Sequence, residues 1–148
     1  MADQNFFMRI GNSFMKFILS SPLHGMLSRN FMLISVTGRK SGKTYTTPVN
    51  YQRQGEALLV VSMRDRTWWR NLRGGAPVTM RLQGKVVAGM GKVMEDDREI
   101  ADALDGILKQ TPQVARYLGI KLDPNGKPAA DELNEAAKSK VIVEITLS

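Results

Sequence analysis

Between Phe31 and Met94 the chain consists mainly of short runs of strand type joined by turns of a few residues, and this limits its fold more than anything else in the sequence. Phe31 to Val36 is an apolar run, Tyr45 to Gln52 is a second strand, and Arg53–Gln54–Gly55–Glu56 turns the chain into Ala57 to Met63. The unbroken apolarity of that third run predicts burial on both faces. Two further strands, Val78 to Gln83 and Val86 to Met94, meet at a tight turn on Gly84. Connections this short predict antiparallel pairing. Gly89 and Gly91, inside the fifth run, predict a bulge or bend of the kind that lets a sheet curl.

The helical signals are fewer and lie outside this run of strands, apart from a short helix at Arg66 to Arg73 stopped by Gly74 and Gly75. Ile100, Ala103, Leu104, Ile107 and Leu108 repeat with helical period within Asp96 to Gln110, and Asp96 with Glu99 forms a capping pair at its start. Pro112 opens a short helical piece through Tyr117, Asp123 to Gly126 is a turn, Ala129 to Lys138 is a polar helix and Lys140 to Leu147 is a last strand. Strands and helices do not alternate regularly, which argues against a doubly wound parallel sheet. The expectation is one α+β domain over residues 1–148: a small barrel of about six mainly antiparallel strands with peripheral helices.

Ahead of it, Asn5 to Leu19 reads as an amphipathic helix, with Phe6, Phe7, Ile10, Phe14, Phe17 and Ile18 on one side and Arg9, Asn12, Ser13 and Lys16 on the other. Its charges argue against a membrane span or a signal peptide. It either docks on the protein body or a second subunit, or rests on an anionic membrane surface.

Charge narrows the partners. With 21 Lys and Arg against 14 Asp and Glu, the net charge of +7 favours anions of every kind. No cysteine is present, which removes disulfides and thiolate chemistry and is compatible with a reducing cytoplasm. The single histidine, His24, rules out a multi-histidine metal site, and no metal is expected.

The turn Gly38–Arg39–Lys40–Ser41–Gly42–Lys43 packs three cations, a hydroxyl and two glycines into six residues. It reads either as a solvated turn or as a cradle in which backbone N–H groups, the hydroxyl and the cations meet one anion. It is not a Walker A loop, because the glycine–lysine spacing is wrong and no helix follows. A second constellation runs from Ser62 to Leu72. There Trp68 or Trp69 offers either a flat wall for an aromatic ligand, with Ser62 and Asn71 at its edge, or simple core packing. Arginines among aromatics also suit single-stranded nucleic acid, but no RNA-binding signature accompanies them, and nucleic acid is not expected.

Taken in order, Leu33 to Gly42, Thr46 to Tyr51, Val60 to Ser62 and Trp68–Trp69–Arg70–Asn71–Leu72 resemble the deazaflavin (coenzyme F-420) dependent nitroreductases, also called quinone reductases. The similarity covers about Phe31 to Gln83 and is looser beyond. It implies an FMN-binding split barrel of the pyridoxamine-phosphate-oxidase type, usually dimeric, that binds reduced F-420 and passes a hydride to a quinone, nitroaromatic or activated alkene. By the same resemblance Arg39, Lys40 and Ser41, with Gly42, hold the coenzyme's phosphate and acidic tail. Pro48, Val49 and Asn50 lie along its ring, and Ser62 and Met63 end a strand near its reactive face. Trp68 and Asn71 match the family's W-Y-x-N-L motif, and Tyr117 lies where some members have a substrate-pocket tyrosine.

This sequence departs from the pattern in several places. The loop between Ser62 and Trp68 is short and carries Met63 where a lysine is common, so Arg64 or Arg66 would have to replace that contact. Trp69 replaces a tyrosine, and Gly75–Ala76 replaces an asparagine–proline pair. No protein nucleophile is needed for such chemistry, and the candidate proton donors are Ser62, Tyr51 and Tyr117. The competing expectations are the same barrel holding FMN, haem or a fatty acid, and a non-enzymatic lipid-binding module using the 5–19 helix. The protein is expected to be a cytoplasmic homodimer acting on a small-molecule electron acceptor.

Overall fold

The computed structural model describes residues 31–82 and 84–148; the expected helix at 5–19, His24 and Gln83 lie outside the described residues. Six strands, β1 (Phe31–Thr37), β2 (Thr44–Gln54), β3 (Ala57–Met63), β4 (Ala76–Leu82), β5 (Lys85–Met94) and β6 (Lys140–Leu147), carry the fold. They close into a barrel in the order β1-β2-β3-β6-β5-β4, with every pairing antiparallel.

Strand alternation sorts the apolar residues into two cores. Met32, Ile34 and Val36 of β1, Leu58 and Val60 of β3, Val78 and Met80 of β4, and Val141, Val143 and Ile145 of β6 fill the barrel. On the outer wall Leu59 and Ile142, with Val61 and Met94, are covered by helices α1 (Asp97–Gln110), α2 (Ala115–Leu118) and α3 (Ala130–Lys138). The double burial expected of β3 is therefore present. Helix α1 starts as its sequence predicts, with the Asp96 carboxylate accepting a 3.1 Å hydrogen bond from the Glu99 N–H.

Of the bulge or bend expected at Gly89 and Gly91, the bulge is corrected. The β4–β5 ladder runs unbroken from Ala76↔Gly91 to Leu82↔Lys85, and the β5–β6 ladder from Gly89↔Leu147 to Met94↔Ile142, so Gly89 and Gly91 mark no bulge. They are there for space. A Cβ on Gly89 would stand 2.7 Å from the Thr146 carbonyl oxygen, and one on Gly91 would stand 3.3 Å from Leu72 Cδ1 and from Val78 Cγ1.

The barrel wall is open at one place. β2 pairs with β3 only from Tyr51↔Val60 to Gln54↔Ala57. Nearer its start β2 follows β1 alone, while the end of β3, through Met63↔Lys140, follows β6. Pro48, which has no N–H to give a ladder, sits in the part of β2 paired only to β1. The expected helix after β3 is a 3-10 turn, Trp68–Leu72, that plugs one end of the barrel with Trp69 and Leu72, 2% and 0% exposed. Burying a side chain of this size contributes about 1.5–3 kcal/mol, so the plug is held firmly. Among the described residues no helix is long and apolar enough to cross a membrane.

Candidate functional site

The turn at 38–43 joins β1 to β2, and its shape follows from its glycines. Gly42 has φ +70°, a conformation that favours glycine. At Gly38 a Cβ would fall 2.7 Å from the Tyr45 ring and 2.8 Å from Ser41 Oγ, so any side chain there would push both apart. The turn is closed by Gly38 N–H to the Lys43 carbonyl (2.7 Å), Gly42 N–H to the Gly38 carbonyl (2.9 Å) and Lys43 N–H to Ser41 Oγ (3.2 Å). The Arg39 N–H is also taken, by Asn71 Oδ1 at 3.1 Å. Four of the six backbone N–H groups of the turn are thus engaged, and those of Lys40 and Ser41 have no partner among the described residues. An anion held here meets side chains and at most these two N–H groups.

Those side chains face a cavity of about 560 Å³ between the turn and the 3-10 plug, lined by Gly38, Arg39, Lys40, Ser41, Tyr45, Thr67, Trp68, Arg70, Asn71 and Arg73. Four of the lining residues are cations and none is an acid. Among the described residues no ion pair engages Arg39, Lys40 or Arg70. Arg73 is paired, its Nη2 donating to Glu95 Oε1 at 2.8 Å and its Nε to both carboxylate oxygens. Those hydrogen bonds hold the Glu95 carboxyl below the usual carboxylate range. Arg70 and Arg73 both lie over the Trp69 ring, with Cζ 5.6 and 5.2 Å from its centroid.

Sequence reasoning passed over Arg70, Arg73 and Tyr45. The spacing held a usable signal, because residues three apart eclipse each other on a 3-10 turn, which puts Arg70 and Arg73 on one side.

The two tryptophans divide the roles left open by the sequence. Trp68, 8% exposed, lines the cavity, and its Nε1–H donates to Ser62 Oγ at 3.1 Å. Trp69 belongs to the barrel core, and its buried Nε1–H has no hydrogen-bond partner among the described residues. Asn71 is held at both ends of its amide: its Nδ2 donates to the Trp68 carbonyl at 3.1 Å, while its Oδ1 and main-chain oxygen accept from Arg39 N–H and Nε–H.

Other candidates are dispersed. Arg64 cannot stand in for the missing lysine, because its guanidinium donates to the carbonyls of Glu95, Ala137 and Lys140 and to Asp97 Oδ1, tying β6, α1 and α3 together. Arg66 reaches Thr47 Oγ1 at 3.4 Å instead. Val49, 8% exposed, points into the barrel, so only its neighbours Pro48 and Asn50 present side chains on the outer face of β2. Met63 is 47% exposed at the end of β3.

The three candidate proton donors are not brought together. Tyr51 lies in the barrel core. The Ser62 hydroxyl is buried, accepts from Trp68 and donates to the Met63 carbonyl at 3.2 Å, so it is already occupied. Tyr117, 51% exposed, borders a crevice with Asn50, Gln52 and Val61 of only about 20 Å³, room for about one water and not for an aromatic ring.

The cationic cavity fits a group that carries several negative charges, since three unpaired cations and the Ser41 hydroxyl converge on it. Residues 19–117 match the family described as F420H₂-dependent quinone reductase. No match is found among curated proteins. Among solved structures, a general stress family protein of Xanthomonas campestris pv. campestris is 13% identical, with 90% of this chain and 81% of that one covered at a TM-score of 0.53. A protein from Agrobacterium tumefaciens is 13% identical over 86% of this chain and 55% of that one, with a TM-score of 0.54. A structure named as a pyridoxamine 5′-phosphate oxidase of Listeria innocua is 12% identical over 82% and 86%, with a TM-score of 0.51. At such identities the likeness speaks for the split-barrel fold alone. Function rests on the family match and agrees with the cationic cavity: the chain belongs to the F420H₂-dependent quinone reductase family and is an oxidoreductase dependent on the deazaflavin coenzyme F-420.

Proposed function

We propose that the cavity between the 38–43 turn and the 3-10 plug holds the acidic, phosphate-bearing part of coenzyme F-420, and that the enzyme uses the bound coenzyme to reduce a quinone. The observation that carries this reading is the set of cations lining one cavity, of which Arg39, Lys40 and Arg70 have no acidic partner among the described residues. Arg39, Lys40 and Arg70 bind the anionic groups, Ser41 adds a hydroxyl, and Gly42 supplies the positive φ with which the turn closes. When bound, the reduced deazaflavin supplies the hydride.

The chain's own task is then to bind and orient. Trp68 gives the cavity a flat apolar wall, fixed in angle by its hydrogen bond to Ser62. Pro48, Asn50 and Met63 border the opening in the barrel wall and offer the coenzyme ring a mixed surface. Of the three hydroxyls considered, the exposed Tyr117 is the one free to pass a proton to a reduced acceptor.

We place the enzyme in the cytoplasm as a homodimer. Val86 and Met90, 49% and 52% exposed and on one face of β5, give a second copy an apolar surface, and light scattering on the purified protein tests this. The test of function is a titration of purified protein with F-420 and, in parallel, with FMN, followed by addition of menadione to the reduced coenzyme complex. Tight binding of F-420 with menadione-dependent oxidation supports the reading. Binding of FMN alone, or no oxidation, overturns it.

A further inference from the structure

The resemblance assigns Asn71 to coenzyme contact, yet both the Nδ2 and the Oδ1 of its amide already hold a partner inside the protein, one N–H of Nδ2 being left over. Its Nδ2 donates to the Trp68 carbonyl at 3.1 Å, its Oδ1 accepts the Arg39 N–H at 3.1 Å and its main-chain oxygen accepts the Arg39 Nε–H at 3.2 Å. Behind it stands a rigid support. Leu72, the next residue, is 0% exposed in the barrel core, Trp69 is 2% exposed, and Trp68 is pinned to buried Ser62. The 38–43 turn, by contrast, is exposed from Arg39 to Lys43, and most of its internal bonds only fold it upon itself.

We propose that Asn71 is a positioning residue, which transfers the rigidity of the barrel end to the anion-binding turn by clamping Arg39 through its backbone and its guanidinium. The inference rests on the reading of the cavity as the coenzyme's anion site for its ligand, but the clamp itself does not. A cationic turn left free would have to be ordered at each binding event, which lowers affinity; a turn already held loses less. The clamp acts on two atoms of one residue, so it sets both where Arg39 sits and which way its guanidinium turns. Lys40, which has no hydrogen-bond partner among the described residues, is free to adapt to the bound anion.

The experiment compares wild type, Asn71→Ala, Asn71→Asp and Lys40→Ala. Amide exchange of Arg39 is first read by NMR in the absence of any coenzyme. Asn71→Ala should speed that exchange about tenfold and raise both the Kd for F-420 and the KM for its reduced form about tenfold, the ratio expected from losing one or two hydrogen bonds, with kcat at saturation unchanged. Asn71→Asp keeps an acceptor for the Arg39 N–H, so it should retain slow exchange while its added charge weakens anion binding. Lys40→Ala should weaken binding and leave Arg39 exchange alone.

Unchanged Arg39 exchange in Asn71→Ala overturns the clamp, and weaker F-420 binding with unchanged exchange makes Asn71 a direct contact instead. Should Asn71→Ala fail to fold, slow exchange in Asn71→Asp still supports the clamp, and fast exchange there refutes it. If wild type binds no F-420, the cavity assignment fails while the exchange data still decide the role of Asn71.

Discussion

Replacing Ser62 with alanine separates two roles that the sequence alone left joined. In the structure the Ser62 hydroxyl is the acceptor for the Trp68 indole N–H at 3.1 Å, in a buried setting. Ser62→Ala leaves that N–H without a partner, and an orphaned buried donor costs about 1–3 kcal/mol. At about 2–4 °C per kcal/mol for a chain of this length, the thermal midpoint should fall by roughly 2–12 °C, with the urea midpoint falling in step and the m-value unchanged. Since Trp68 lines the cavity, the KM for reduced F-420 should rise as well. A proton donor would behave differently, because losing a general acid lowers kcat by about 10²–10⁴ and need not touch stability. Ser62→Thr keeps the hydroxyl and should recover most of the lost stability. The assays are urea denaturation followed by tryptophan fluorescence, and steady-state oxidation of the reduced coenzyme. An unchanged urea midpoint together with a hundredfold drop in kcat would refute the bracing role.

Reversing charge in the double variant Arg39→Glu/Lys40→Glu should abolish F-420 binding in a fluorescence titration while the melting temperature stays near wild type, since an exposed turn rarely decides stability. Arg64→Ala should act in the opposite way. Removing the guanidinium that joins the carbonyls of Glu95, Ala137 and Lys140 should cost about 2 kcal/mol in urea unfolding and leave the coenzyme KM untouched. The Arg73–Glu95 pair predicts a pH effect: because hydrogen bonds from Arg73 lower the folded-state pKa of Glu95, its stabilising contribution is present at neutral pH and lost as pH falls through that lowered value. The difference in urea midpoint between wild type and Glu95→Gln should therefore close on acidification, and a difference that grows in acid would contradict the pairing.

What the sequence determined by itself is local and periodic. Short strand-type runs between turns from Phe31 to Met94 and alternation in Lys140 to Leu147 were enough for six strands, the helical repeat and capping pair for α1, and the turn lengths for antiparallel pairing. The ordered motifs from Leu33 to Leu72 marked the coenzyme family, because they fix residue types at set intervals whatever the packing between them. Val49 and Tyr51 show where this ends: their side of β2 follows from parity, but only barrel closure makes that side a core.

The tertiary structure decided what each polar group is free to do. A hydroxyl, an amide or a guanidinium looks the same in the sequence whether it meets a ligand or a carbonyl 76 positions away, as Arg64 does with Lys140. Pairing across the fold gave the Ser62 hydroxyl the Trp68 indole and the Met63 carbonyl as partners and tied Arg64 to the carbonyls of Glu95, Ala137 and Lys140. It also spent the N–H groups of Gly38, Gly42, Lys43 and Arg39 on Lys43, Gly38, Ser41 and Asn71. In their place it delivered Arg70 and Arg73, set side by side by the 3-10 geometry of a segment whose sequence reads as an ordinary short helix.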